Sequence, residues 1–234
     1  MKHKTNLKKT VAVLLSMLLI FSLTACSGQK DDQGTNLSAG ASGDGASNPS
    51  NGESGNNTDG TSENILIVYF SHTGENYSVG VIEKGNTHII ADMIAEETGA
   101  DMFEIQPVIP YPGKYDECTD VAKREQNNHA RPEFIGGVEN MEQYDTIFIG
   151  YPIWWGDLPM VVYTFLESYD FSGKTIIPFC THEGSGLAGT DRSIKNSCPD
   201  ASVRSGLAIR GSTAQNKQDD AKSDVLKWLR GLGY

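Results

Sequence analysis

The chain is poor in cysteine, in positive charge and in long apolar runs. Its 234 residues hold four cysteines, none in a C-x-x-C pair, which excludes a disulfide-stapled scaffold and gives no zinc-finger spacing. Lys and Arg number 19 against 30 Asp and Glu, a formal net charge of −11. A surface that tracks nucleic-acid phosphates needs clustered cations, so no nucleic-acid partner is expected. The longest apolar stretch, Val11–Leu23, is 13 residues interrupted by Ser16 and Ser22. As a helix it would reach about 20 Å, short of a ~30 Å bilayer core, which excludes a polytopic membrane protein. No G-K-[ST] marks a Walker loop, and no G-x-G-x-x-G follows the first strand, so FAD and NAD are disfavoured. His3, His72, His88, His129 and His182 are scattered, and no metal or triad spacing emerges. The string E-G-S-G-L around Ser185 lacks the first Gly of a hydrolase nucleophile elbow.

What is present falls into three unlike pieces. Lys2, Lys4, Lys8 and Lys9 precede the apolar run, and the first acidic residue is Asp31. A basic segment before a short apolar one reads as a secretory signal, residues 1–25. Leu23-Thr24-Ala25-Cys26 resembles the bacterial lipobox, which implies cleavage before Cys26 and a lipid on its thiol. The expected location is therefore the outer face of a bacterial cell membrane, lipid-anchored. The mature chain would be 209 residues with 15 basic and 30 acidic side chains, −15. Residues 26–62 read as the lipidated cysteine and a tether. From Ser27 to Ser62, Gly, Ser, Asn and Asp supply 24 of 36 residues, and Leu37 is the only large aliphatic. Such a segment buries too little apolar surface to offset its ordering entropy. As a coil it would reach roughly 30–36 Å.

Residues 63–234 form the third piece, long enough for one domain with a substantial core. Asn64–Phe70 is a continuous apolar run, the mark of a strand buried on both faces. The pattern then predicts a helix over Thr87–Thr98, a strand at Asp101–Gln106 and a polar, exposed helix at Tyr115–His129. A strand follows at Thr146–Tyr151, then a helix from Pro159 to about Tyr169 and a strand at Lys174–Cys180. A short helix at Asp191–Asn196, a fifth strand at Ser202–Ile209 and a closing helix at Asp219–Leu229 complete it. Alternation of this kind implies an α/β class with a doubly wound, five-stranded parallel sheet. Ligands in such sheets bind beyond the carboxyl ends of the strands.

Three loops at those ends carry chemistry. After the first strand, Ser71, His72, Thr73 and Gly74 lead toward Asn86-Thr87 at a helix start. Hydroxyls, glycines that let backbone approach, and a helix N-terminus together suit phosphate. About eleven residues separate the two halves, leaving open whether Asn76 or Asn86-Thr87 completes the cradle; the helix-cap position favours the latter. His72 and Lys84 could add positive charge, though a lone His or Lys in a loop is more often simply solvated. After the third strand, Pro152-Ile153-Trp154-Trp155-Gly156 offers flat apolar surface to a ring, with one Trp facing a ligand and the other core. After the fourth strand, Thr181, His182, Glu183, Gly184, Ser185 and Gly186 form a polar loop with free backbone.

These strings, hydroxyl-x-Thr-Gly running through Asn-Thr, G-Y-P-I-W-W-G and the Gly-rich third loop, resemble the flavodoxin family over essentially all of residues 63–234, and most nearly its bacterial lipoprotein-like members. The resemblance implies strand order 2-1-3-4-5, FMN as cofactor, and the third loop as the contact to the flavin's polar edge. Relatives often carry Ser-Gly where this chain has His182-Glu183, which implies altered redox tuning. The expected function is a membrane-tethered FMN electron carrier with a redox partner protein or a small electron acceptor. The alternatives are an FMN-dependent NAD(P)H:quinone-type oxidoreductase and a lipoprotein that binds a phosphorylated ligand without redox turnover. Cys180 is expected in the core, and a Cys180–Cys198 disulfide stays open. In cells fed a labelled fatty acid, the chain should take up label and its Cys26→Ala variant should take up none; continued labelling would refute the lipobox reading.

Overall fold

The computed structural model describes residues 64–234. The signal, tether and Cys26 expectations lie outside the described residues. Among the described residues, no helix is long and apolar enough to cross a membrane.

The organising strand is β5 (Thr146–Pro152), paired in parallel with β1 (Ile65–Tyr69) on one side and β6 (Thr175–His182) on the other. β4 (Asp101–Glu104) extends the sheet beyond β1. Beyond β6 the fifth position is split: β7 (Ser202–Val203) pairs with the start of β6 and β8 (Leu207–Arg210) with its end. Leaving aside a small inserted hairpin, the order is the expected 2-1-3-4-5. The single expected strand at Ser202–Ile209 is broken at Arg204–Gly206. A Cβ on Gly206 would crowd the carbonyl oxygen and ring of Pro178, and that proline has no N–H to give the ladder.

Alternation divides the buried strands between two helical layers. Leu66, Val68, Ile147, Ile149 and Ile176 pack with Val161, Val162 and Phe165 of helix α3 (Met160–Ser168). Ile67, Tyr69, Phe148, Ile177 and Phe179 pack on the other face. Helix α1 (Asn86–Thr98) meets that second set with Ile89, Ile90, Met93 and Ile94, and helix α6 (Gln218–Leu232) with Ala221, Val225 and Leu229. Each fully buried Leu, Ile or Phe contributes about 1.5–3 kcal/mol, so both layers are needed to hold a parallel sheet. Gly99 ends α1 in the left-handed conformation, as a helix stop should.

Helix α2 (Tyr115–Asn127) and helix α4 (Thr190–Ser197) fall where the pattern puts them, α2 ending two residues sooner and α4 one residue longer at each end. A hairpin and a helix have no counterpart in the sequence reading, nor does the short 3-10 turn at Met141–Gln143. The segment separating the halves of the first loop folds as an antiparallel hairpin, β2 (Gly74–Asn76) with β3 (Gly80–Ile82). A short helix α5 (Gly211–Asn216) precedes α6.

Gly150 of β5 lies under the Phe179 ring, where a Cβ would overlap it. Gly150→Ala should therefore destabilise the domain by about 1–3 kcal/mol through overpacking. A urea denaturation midpoint unchanged from wild type would show that the ring can move aside.

Candidate functional site

The carboxyl ends of β1, β5 and β6 open onto a cavity of about 260 Å³. Of the residues anticipated from sequence, His72, Asn86, Pro152, Ile153, Trp154, Trp155, Thr181, His182 and Glu183 line it. Ser71, Thr73, Gly74, Thr87, Gly156, Gly184, Ser185 and Gly186 lie in the same loops, outside the lining. Two of these are supports. Ser71 Oγ accepts a hydrogen bond from the His88 backbone N–H at 3.1 Å. Thr87 Oγ1 bonds Thr181 Oγ1 at 2.8 Å, both residues being buried, and so ties α1 to the end of β6.

Helix α1 begins against this cavity, with Gly85 as its cap residue. A Cβ there would overlap Ser71 Oγ and press on the His72 carbonyl oxygen; only glycine permits the close approach of the two halves of the loop. Three helix N-termini belong to this region, and two are already occupied by the protein's own carboxylates. Glu75, from the hairpin, accepts the Tyr115 N–H at the start of α2 at 3.1 Å. Glu183 accepts the Ser212 N–H at 2.6 Å and its hydroxyl at 3.1 Å at the start of α5. At α1, Ser71 fills one position, while the Asn86 and Thr87 N–H groups have no carbonyl within the helix to bond. The first turn of α1 holds no acidic residue. Its positive end is thus left for an anion from outside.

Asn86 sharpens this point. Its Oδ1 is buried without a hydrogen-bond partner, an arrangement that costs about 1–3 kcal/mol unless something fills it. The residue lines the cavity, so a bound hydroxyl or N–H would satisfy it. Asn76, the other candidate, also lines the cavity, but its Nδ2 already reaches the carbonyl oxygens of His72 at 3.3 Å and Gly74 at 3.2 Å. Asn76 holds the loop in shape; Asn86 has its amide to spare.

Neither His72 nor Lys84 brings positive charge to the cavity. His72 Nε2 lies 3.0 Å from the Pro112 carbonyl oxygen, to which it donates, so Nδ1 is left to accept from Asn76 Nδ2 at 3.4 Å. Burial lowers the His72 pKa below its ordinary 6.5, and the ring supplies no positive charge at neutral pH. Lys84 is ion-paired with Asp92 on the α1 surface. Among the described residues lining the cavity there is no Lys or Arg. An anion here would be held by backbone and amide dipoles.

The opposite wall is aromatic. Trp154 and Asp157 exchange backbone hydrogen bonds at 3.0 Å in each direction, enclosing a two-residue turn. Trp155 and Gly156 at its centre both have positive φ, +51° and +77°, the signature of a primed turn. A tryptophan in that region is uncommon. Helix α2 clamps it: the indole Nε1 donates to the Thr119 carbonyl oxygen at 2.9 Å, and Lys123 Nζ sits 5.0 Å from the ring centroid. Trp155 stays 54% exposed. Trp154 is half-buried and packs edge-on to Phe70 and Tyr111, with ring centroids at 5.3 and 4.9 Å. One Trp joins the core and the other stands at the rim, yet both border the cavity.

Sequence reasoning missed the wall supplied by α2. Tyr115, Cys118, Thr119 and Ala122 line the cavity, and their i, i+3, i+4, i+7 spacing was the available signal in a helix otherwise read as exposed. It also missed Glu75 and Tyr77 of the hairpin and Gly211 at the start of α5.

Cys118, Cys180 and Cys198 are buried free thiols. Burial pushes Cys118 and Cys180 up to about 12 and Cys198 to about 11, so none is a nucleophile at neutral pH. In the Cys26→Ala chain, a thiol reagent at pH 7.5 should label nothing rapidly in the native state and three cysteines in guanidinium without reductant. A count of one in guanidinium would show a disulfide.

A family model described as Flavodoxin matches residues 64–228. Among solved structures, one from Bacteroides uniformis described as a flavoprotein is 28% identical, covering 72% of this chain and 98% of that one, with a TM-score of 0.59. One from Bacteroides eggerthii, also described as a flavoprotein, is 29% identical over 68% and 97%, with a TM-score of 0.54. A Lactobacillus acidophilus flavoprotein in complex with FMN is 22% identical over 67% and 99%, with a TM-score of 0.52, and shares the fold. Among curated proteins, none matches.

Proposed function

This chain belongs to the flavodoxin family, and from that premise we propose that it is an FMN-binding electron carrier, anchored by lipid on the outer face of a bacterial cell membrane. The observation that carries the cofactor is the convergence on one cavity of an unfilled helix N-terminus and a tryptophan turn. The N–H groups of Asn86 and Thr87 would take the phosphate. The spare Asn86 amide, buried with an unpartnered oxygen, would meet a ligand hydroxyl or N–H. Trp154 and Trp155 would lie against the ring, and the His182–Gly186 loop would meet its polar edge. FMN supplies the reversible acceptance of electrons; the chain's residues bind it, orient it and limit its contact with water.

The L. acidophilus relative was solved with FMN, which supports the same ligand for this fold. Anchoring is supported by the Leu23-Thr24-Ala25-Cys26 string and the polar stretch after it. An acidic domain, 14 basic against 25 acidic over residues 63–234, disfavours further negative charge in the cavity. It also suits docking to a basic partner protein. The exposed rim at Trp155 supports transfer to such a partner.

The full chain should come out yellow, or turn yellow with added FMN, and quench FMN fluorescence far more strongly than that of riboflavin. Asn86→Ala and Trp154→Ala should each weaken FMN binding about tenfold or more, equivalent to ~1.4 kcal/mol. Absence of FMN binding would refute the cofactor assignment. The reduction midpoint of bound FMN should lie below that of free FMN in the same buffer, and NADPH should be oxidised only slowly. Rapid NADPH oxidation would instead favour a reductase.

A further inference from the structure

His182 ends β6 and borders the cavity. Its Nδ1 accepts two backbone hydrogen bonds, from the N–H of Gly184 at 2.8 Å and of Gly186 at 3.2 Å. An atom that accepts two N–H groups carries no proton, so the neutral ring has its hydrogen on Nε2. From two residues back on the same strand, the Cys180 thiol donates to the Gly186 carbonyl oxygen at 3.5 Å. The turn after β6 thus hangs from side chains of its own strand. Gly184 and Gly186 have φ of +128° and +60°, and the two bonds to His182 hold them there.

We propose that His182 is a positioning residue: its neutral ring sets the turn at Gly184–Gly186 in the shape that receives the flavin's polar edge, and protonation of the ring releases the turn and loosens the cofactor. The proposal rests on the FMN reading and adds to it a pH-dependent hold specific to this chain's His182-Glu183 pair. Protonation at Nδ1 would place a third N–H against the two it now accepts, and both bonds would be lost.

The surrounding charges support a neutral ring. From β8, Arg210 stands in register with His182 and disfavours a second cation. From its own loop Glu183 favours one, but this carboxylate is drawn to Ser212 and to Arg210 at 3.6 Å. Among the other cavity walls, α1 contributes the uncharged Asn86, the first loop the neutral His72, the hairpin Tyr77 and the carboxylate of Glu75, which is spent on the Tyr115 N–H, α2 the Tyr115 ring and the Cys118 thiol, and the tryptophan turn two indoles. Burial, the largest influence, acts with Arg210 to hold the His182 pKa below its ordinary 6.5. A group whose pKa is depressed by its native setting stabilises that setting fully above its ordinary value. The stabilisation is lost as pH falls through the depressed one.

The test compares FMN affinity from pH 8 to pH 5, by fluorescence quenching, for the full chain and its His182→Asn and His182→Leu variants. Asn places an oxygen where His carries Nδ1 and accepts hydrogen bonds without titrating. The variant should bind FMN within about threefold of wild type at pH 8, and Leu should bind at least tenfold more weakly. Wild-type affinity should fall below pH 6.5 more steeply than that of His182→Asn, by up to tenfold per pH unit for one proton. The slope common to both belongs to the phosphate's own second ionisation near pH 6. In flavin-free protein, the Gly184 and Gly186 amides should lose hydrogen-exchange protection over the same range in wild type and keep it in His182→Asn. Superimposable affinity curves for wild type and His182→Asn, or amide protection indifferent to pH, would overturn the proposal. Failure of wild type to bind FMN at pH 8 would overturn the cofactor reading, and amide protection would still judge the role of His182 in the turn.

Discussion

Everything at the site depends on the parallel pairing of β1, β5 and β6. Parallel strands leave the sheet at the same end, so the loops after Phe70, Pro152 and His182 emerge side by side. A parallel ladder needs both faces covered, and the two layers of α1 with α6 and α3 with α4 provide that cover. Each return crossover then begins a helix near the loop that feeds it. For α1 this places an N-terminus beside the cavity, and that placement follows from the way the sheet is buried.

Which helix N-terminus remains open is settled by side chains from elsewhere in the chain. Glu75 fills the start of α2 and Glu183 the start of α5, across 40 and 29 residues of sequence. Neither carboxylate is attractive to a bound phosphate, yet both are spent on backbone N–H groups. The cavity can therefore be lined by acidic residues and lack cations, in a domain already acidic, and still present a favourable dipole at Asn86-Thr87. His72 is neutral for a separate reason. Its ring serves the loop by donating to Pro112 and accepting from Asn76, and burial keeps it uncharged.

Much of the fold was legible because its signals are local. The run at Asn64–Phe70, the stripe in α1 and the Gly99 stop each sit within a few turns of chain, and their elements appear within two residues of expectation. The tryptophan turn and the loops after β1 and β6 were also visible, since unusual residues there interrupt the periodic pattern. What failed either carried too weak a local signal or required a distant partner. The hairpin of residues 74–82 is short and half exposed, with little periodicity to read. The break between β7 and β8 answers to Pro178 on the neighbouring strand. The α2 face looked exposed because a cavity wall and a solvated face have similar composition.

The sequence by itself determined the alternation of strand and helix, the doubly wound class and the three loops that border the cavity. Those follow from apolar spacing and from glycine, proline and capping residues, which act over a few positions. Only the tertiary structure decided that Asn86 rather than Asn76 has a free amide, that Thr87 braces β6, and that His182 holds its own loop. Thr87 meets Thr181 across 94 residues, and the short-range bonds of Asn76 and His182 depend on loop shapes that packing sets, which no local pattern encodes.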